Sequence, residues 1–305
     1  MAVTLVCPAA LKSSGPNVVM FGWPGGGYNR RYYDLPIADG SAYSQAAFHA
    51  ERGAIFVSCD HPGVGGSDSP ASAFSHEDTA RVNAAAARAV LDGLKAGTLD
   101  PRIPPLADIR AFGMGQSYGG LLLTVLQAQH ALFEGVAFLG WSGICTEVKG
   151  APGDPPVPAL ADIVTTPAVN DGLRHPFRRA FHFDDVPEEI VAEDMRGYPF
   201  RFGLEPPVWA SVHMPGGPNF RPERGPLGPN VVVEEAASIT APVFIGAGEI
   251  DTLPDPHAEA SAYRASRDVT MMIIPRAAHM HNFAGTRRML WARLHAWAQT
   301  IARDV

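Results

Sequence analysis

Six short apolar runs punctuate the chain: Val18 to Phe21, Ile55 to Val57, Ile109 to Phe112, Val136 to Leu139, Val243 to Ile245, and Met271 to Ile274. Each is bounded by Gly, Pro or Asp. Continuous rather than alternating apolarity at this length predicts strands buried on both faces, as in a parallel sheet covered by helices. Helical segments separate the runs. From His76 to Leu94, Ser75 stands three residues ahead of Asp78 as a capping signature, and Val82, Ala86, Val90 and Leu94 recur every four residues. Near the end, Leu290, Leu294, Trp297 and Ile301 share a helical stripe while Arg287, Arg288 and Arg293 sit off it. The alternation predicts an α/β fold with a mostly parallel, doubly wound sheet, whose binding crevice lies beyond the carboxyl ends of its strands. Ahead of Val18, VTLVC offers one strand at most, so the first edge of the sheet is expected to be trimmed.

The pattern breaks between about 146 and 236, where Pro-rich stretches (GAPGDPPVP, PGGPNFRPERGPLGP) surround short helical candidates, notably Pro187 to Arg196. Residues 1–145 and 237–305 are read as one core and 146–236 as an inserted helical cap, because a long irregular, aromatic-rich segment inside a compact domain usually carries function. Exchange of that segment is expected to alter selectivity more than chemistry.

Composition narrows the partners. With 46% apolar and 18% charged residues and no charged block, the chain reads as an ordinary globular domain. A net charge of -7 without a basic stripe argues against nucleic acid and against an anionic membrane surface. The N-terminus lacks the basic start and apolar centre of a secretory signal, and no run of about twenty apolar residues is present, so a cytoplasmic location is expected. Cys7, Cys59 and Cys145 are widely spaced without paired His or Cys, which indicates neither a disulfide framework nor a zinc site. A homodimer is one arrangement that the sequence leaves open.

The sharpest local feature is GQSYGG, Gly115 to Gly120, between the apolar run IRAFGM and the helical run LLLTVLQAQ. A serine on a strand-to-helix turn needs small neighbours and is lifted above the sheet. In a chain with 31 glycines the motif alone is a weak signal, and its context strengthens it. Here the chain resembles the α/β-hydrolase superfamily, from about Val18 to the end. WPGGGYNRRYYD, Trp23 to Asp34, looks like the oxyanion-hole loop of esterases, with Pro24 where many members have histidine; DHPGVGGS, Asp60 to Ser67, is similar to the family's turn after the next strand and is read as shaping the fold.

The resemblance implies that Ser117 is the nucleophile, with backbone N–H groups of Gly26, Gly27 and Tyr118 facing the developing oxyanion; the exact donor within Gly25 to Gly27 stays open. A serine hydroxyl needs a histidine base, and the base a carboxylate, in the order Ser, acid, His. Asp251 follows the strand Val243 to Ile245 and is preferred to Glu249 and Asp255, which suit capping or solvated roles; His279 is preferred to His281, which is assigned to the substrate pocket. Trp23, Tyr28, Trp141, Trp209 and His213 complete the expected substrate-binding set, suggesting a small apolar or aromatic molecule, with core packing the competing reading for each aromatic ring. Arg30 and Arg31 are read as solvated. The expected reaction is ester or lactone hydrolysis through an acyl-enzyme, with no cofactor and no metal. Carbon-carbon bond or amide hydrolysis by the same residues, and a non-catalytic ligand-binding protein on this scaffold, are the alternatives.

Overall fold

The computed structural model describes residues 1–11, 15–37, 41–72, 74–148, 177–196, 205–216 and 231–304. Seven strands form one sheet: β1 (Val3–Val6), β2 (Asn17–Trp23), β3 (Ile55–Cys59), β4 (Ile109–Gln116), β5 (Gly135–Leu139), β6 (Val243–Gly248) and β7 (Val269–Ile274). Six of them are the six apolar runs, extended by a few residues. Their spatial order is β1-β3-β2-β4-β5-β6-β7, with β1 antiparallel to β3 and all other neighbours parallel. The first edge is therefore a single antiparallel strand, as VTLVC suggested.

The helices are α1 (Gln45–Ala50), α2 (His76–Ala96), α3 (Tyr118–His130), α4 (Glu188–Asp194), α5 (Val233–Ser238) and α6 (Arg287–Asp304). They cover both faces of the sheet, which explains the continuous apolar runs. In β2, Val18 and Met20 join one core layer with Phe48 of α1 and Trp291 and Leu294 of α6, while Val19 and Phe21 join the other with Ala84 of α2 and Leu121 of α3. Strand β7 departs from this expectation. As the far edge among the described strands it buries Ile274 but leaves Ile273 38% exposed.

The capping box of α2 forms as predicted, with the Ser75 side chain on the Asp78 amide and Asp78 reaching back to Ser75 N; Gly97 closes the helix in the left-handed region, φ 67°. Its buried face takes in half of the four-residue series. His76, Ala80, Asn83, Ala84, Ala87, Val90, Leu91 and Leu94 are buried, whereas Val82 and Ala86 are half-exposed. A strict spacing of four drifts by about 40° per step on a helix of 3.6 residues per turn, so it leaves the buried stripe. The α6 stripe holds: Leu290, Leu294, Trp297 and Ile301 are all buried.

After β5 the chain leaves the sheet and returns at α5. The Pro-rich stretches 150–158 and 217–229 lie outside the described residues. A helical turn at 177–181 and α4, which falls inside the predicted Pro187 to Arg196, supply the helical character expected of a cap. No described helix is long and apolar enough to cross a membrane.

The buried face of α2 gives a direct test by urea denaturation. Leu94→Ala should destabilise the protein by about 2–5 kcal/mol, and Val82→Ala by less than about 1 kcal/mol.

Candidate active site

Because β2, β4, β6 and β7 run parallel, their carboxyl ends share one edge of the sheet, and the loops leaving that edge carry the glycine loop, Ser117, Asp251 and His279. Ser117 stands between β4 and α3 with φ 52° and ψ -122°, a region that a residue with a side chain seldom occupies. Its amide donates to Leu139 O of β5 at 2.8 Å, which pins the turn to the sheet. The glycines around it have no room for a side chain. A Cβ on Gly115 would stand 2.3 Å from Gly119 O, and one on Gly119 would stand 2.3 Å from Trp23 O. The sharp turn thus follows from three backbones in contact.

Asp251 is buried and fully engaged. Oδ2 accepts from Gly248 N at 2.6 Å and from His281 Nε2 at 2.8 Å, while Oδ1 accepts from Thr252 N at 2.7 Å and from His279 Nδ1 at 2.7 Å. Burial alone would raise its pKa, but the pull of His281, then the hydrogen bond and charge of His279, outweigh it and hold the carboxyl well below the usual carboxylate range. An ionised carboxylate only accepts, so Nδ1 of His279 carries the proton of this hydrogen bond. Gly140, φ 59°, lets this pair approach: a Cβ there would stand 2.8 Å from His279 Nδ1.

His279 Nε2 faces the Gln116 Nε2 amide at 3.4 Å, and that amide also donates to His279 O at 3.1 Å. Gln116 immediately precedes Ser117, so the histidine lies against the elbow. Among the described residues, however, no hydrogen bond joins Ser117 Oγ to His279; the structure brings Asp251 and His279 together and leaves the serine contact unmade.

The glycine loop lies on the other side of the elbow. A Cβ on Gly25 would stand 2.9 Å from Ser117 Cβ, whereas one on Gly26 would meet Met214 at 2.7 Å. Gly27 takes φ 81°, which favours glycine. Among the described residues the N–H groups of Gly25, Gly26 and Gly27 donate to no protein acceptor. Tyr118 opens α3, directly after Ser117. The loop is supported from below by His61, whose Nε2 donates to Pro24 O at 3.0 Å while Nδ1 accepts from Asn83 at 3.0 Å. Asp60 accepts from Arg30 N at 2.6 Å, from the Arg30 guanidinium and from Gly66 N at 2.8 Å. The Asp60 to Ser67 turn therefore shapes the fold, and Arg30 is held in an ion pair rather than solvated; Arg31 is exposed.

The pocket expectations need revision. His281 is buried with its Nε2 on Asp251, so it holds the carboxylate instead of lining a pocket. Trp23 stacks on Phe21 within the core, and Trp141 is buried against Gly120. Tyr28 OH and Trp209 Nε1 both donate to the buried Asp194, at 2.7 Å each. None of the four rings is more than 6% exposed. His213 is exposed, and its neighbour Met214 covers Gly26. Glu249 accepts from Arg276 N and Asp255 caps a 3-10 turn, the roles weighed for them. Gln116, Thr252 and Asp194 were not anticipated; Gln116 occupies a variable position of the elbow motif, and the others carry no local signal. Among the described residues no group of three or more His, Cys, Asp or Glu side chains could hold a metal ion.

Comparison with family models and with curated proteins finds no match. Comparison with solved structures finds many. An esterase from Rhodococcus sp. ECU1013 superposes with a TM-score of 0.63 at 16% identity, over 98% of this chain and 95% of that one. Est816, an N-acyl homoserine lactone degrading enzyme, gives 0.57 at 19% identity, over 97% and 96%. The proline iminopeptidase of Mycobacterium smegmatis gives 0.57 at 19%, over 99% and 95%. The chain has the α/β-hydrolase fold, with an insertion between β5 and β6.

Two outcomes follow from this packing. Gly119→Ala should drive a methyl group into the Trp23 and Pro24 carbonyls and lower stability by about 1–3 kcal/mol or more, read from the urea midpoint. Burial, the largest influence on His61, brings its pKa down to about 4, with Pro24, Asp60 and Asn83 opposing. A folded-state pKa below the unfolded one means that the unfolded chain binds the proton first. His61 should therefore destabilise the protein increasingly as pH falls from about 6.5 to about 4, by on the order of 3 kcal/mol, and no further below that. His49, whose pKa burial likewise lowers, acts in the same direction, so the difference between wild type and His61→Gln across this window isolates His61.

Proposed function

We propose that this chain is a serine hydrolase that cleaves an ester or lactone of a small apolar organic molecule through an acyl-enzyme on Ser117. The observation that carries this reading is the left-handed backbone of Ser117 at the carboxyl edge of the sheet, beside a His279 oriented by Asp251. In the first step Ser117 Oγ attacks the carbonyl carbon and His279 Nε2 takes the hydroxyl proton. Asp251 stabilises the imidazolium that forms and keeps Nδ1 protonated throughout. Amides of the Gly25 to Gly27 loop and of Tyr118 receive the negative oxygen of the tetrahedral intermediate, with Gly25 the glycine that packs against Ser117. His279 returns the proton to the leaving oxygen, and water repeats the sequence to free the acid. The step requires the serine hydroxyl to turn onto Nε2, displacing the Gln116 amide from its lone pair. The apolar character of the substrate is argued from Val212 and Met214, which are 50% and 37% exposed on the segment beside the glycine loop. The comparison structures support hydrolysis in general, and an esterase and a lactone-degrading enzyme among them favour the oxygen ester.

A second reading, a ligand-binding protein on this scaffold, draws on the unmade contact between Ser117 and His279. A p-nitrophenyl ester panel with a matching anilide, combined with stoichiometric labelling by a fluorophosphonate, separates the two. Labelling of Ser117 with ester turnover supports the hydrolase; ligand-induced thermal stabilisation without either supports the binding protein. Preferential anilide cleavage would place the enzyme among amide hydrolases.

Ser117→Ala and His279→Ala should lower kcat by about 10⁴-fold or more while the protein stays folded. His281→Ala removes one charge-assisted hydrogen bond to Asp251, so kcat should fall by about ten- to a hundred-fold with KM little changed. A shift in substrate preference at unchanged kcat would return His281 to the pocket wall.

A further inference from the structure

A second buried carboxylate, outside the proposed catalytic residues, joins the two loops that carry them. Asp194, at the end of α4, is fully buried. Its Oδ2 accepts from Tyr28 OH at 2.7 Å and from His182 Nε2 at 2.9 Å, and its Oδ1 accepts from Trp209 Nε1 at 2.7 Å. Tyr28 directly follows Gly27 of the glycine loop. Around it the cap and the loop are laced together by backbone: Ser211 N donates to Gly27 O at 2.9 Å, Asn29 N to Trp209 O at 2.9 Å, and Asn29 Nδ2 to Ala210 O at 2.7 Å. His182 lies on the other side, one residue after Phe181, and here the cap grips the histidine loop. His279 N donates to Ala180 O and Met280 N to Phe181 O, both at 3.0 Å. Phe283 fills the space between, with ring centroids 5.3 Å from His182 and 6.0 Å from Trp209.

We propose that Asp194 is a positioning residue, which sets the glycine loop relative to His279 by receiving, among the described residues, one donor from that loop and two from the inserted segment. This rests on the hydrolase reading above. Oxyanion donors act only where they are aimed at the developing charge, and a displacement of a few tenths of an ångström lowers the rate without weakening ground-state binding. The insertion is accordingly part of the catalytic frame over 177–182, Asp194 and 209–214, instead of a lid whose exchange alters selectivity more than chemistry. A buried carboxylate is suited to the task because it accepts from several directions at once.

The test uses the full chain with a p-nitrophenyl ester, counting active sites by fluorophosphonate titration so that each rate refers to a labelled serine. Asp194→Asn keeps the shape, since Tyr28 OH can turn, and His182 in its other tautomer can, to accept from the new amide; Tyr28→Phe removes a single hydroxyl and decides the matter should Asp194→Asn not fold. Both variants should lower kcat per titrated site by about tenfold or more and slow phosphonylation in parallel, with KM within about twofold of wild type. The double variant should be no slower than the slower single one. Lower thermal stability with kcat per site unchanged would overturn the proposal, leaving Asp194 as a brace for the cap. Failure of the hydrolase reading is read separately, on wild type, which would then neither label nor turn over.

Discussion

A carboxylate removed from water is tolerated only when its oxygens are met by donors, and Asp251 imposes that condition on everything around it. Its four short hydrogen bonds come from the turn after β6 and from two histidines on the loop after β7. These bonds fix how far the β6 and β7 loops can separate, orient the imidazole of His279 and require glycine at 140, where the chain passes within van der Waals contact of the pair. The strained elbow depends on the same neighbourhood, since Ser117 N is held by Leu139 O, one residue before that glycine.

Asp194 repeats the principle in the insertion. Both carboxylates take donors from chain segments far apart in sequence, and both are inaccessible to solvent. The difference lies in what they hold. Asp251 orients the imidazole of His279, whereas Asp194 gathers an aromatic side chain from the glycine loop and an imidazole and an indole from the cap. Two buried carboxyl groups, each met by several donors, tie the edge of the sheet in a way that apolar packing alone would not, because hydrogen bonds specify direction as well as distance.

The aromatic residues show how the fold decides between substrate contact and core packing, which the sequence leaves open. Tyr28 and Trp209 were singled out for their ability to meet an organic substrate, and each does use a polar tip, but on Asp194. His281 was placed in the pocket on the strength of its nearness to His279, and that nearness instead lets both rings reach one carboxylate. Val82 and Ala86 misplaced part of the buried face of α2 because an integer spacing approximates a helical repeat over two turns and fails over four.

Strand and helix identity and the elbow around Ser117 were legible in the chain because each depends on neighbours within a few residues: buried strands need continuous apolar runs, a strand-to-helix turn needs glycines, and a helix start needs its cap. The partners of Asp251, the contact of Gln116 with His279 and the hub at Asp194 were not. Asp194 draws on Tyr28, His182 and Trp209, separated from it by 166, 12 and 15 positions, and no spacing rule links them. Only the folded chain decides such contacts, since a buried charge selects its donors by where the sheet and the insertion bring them, and not by their place in the sequence.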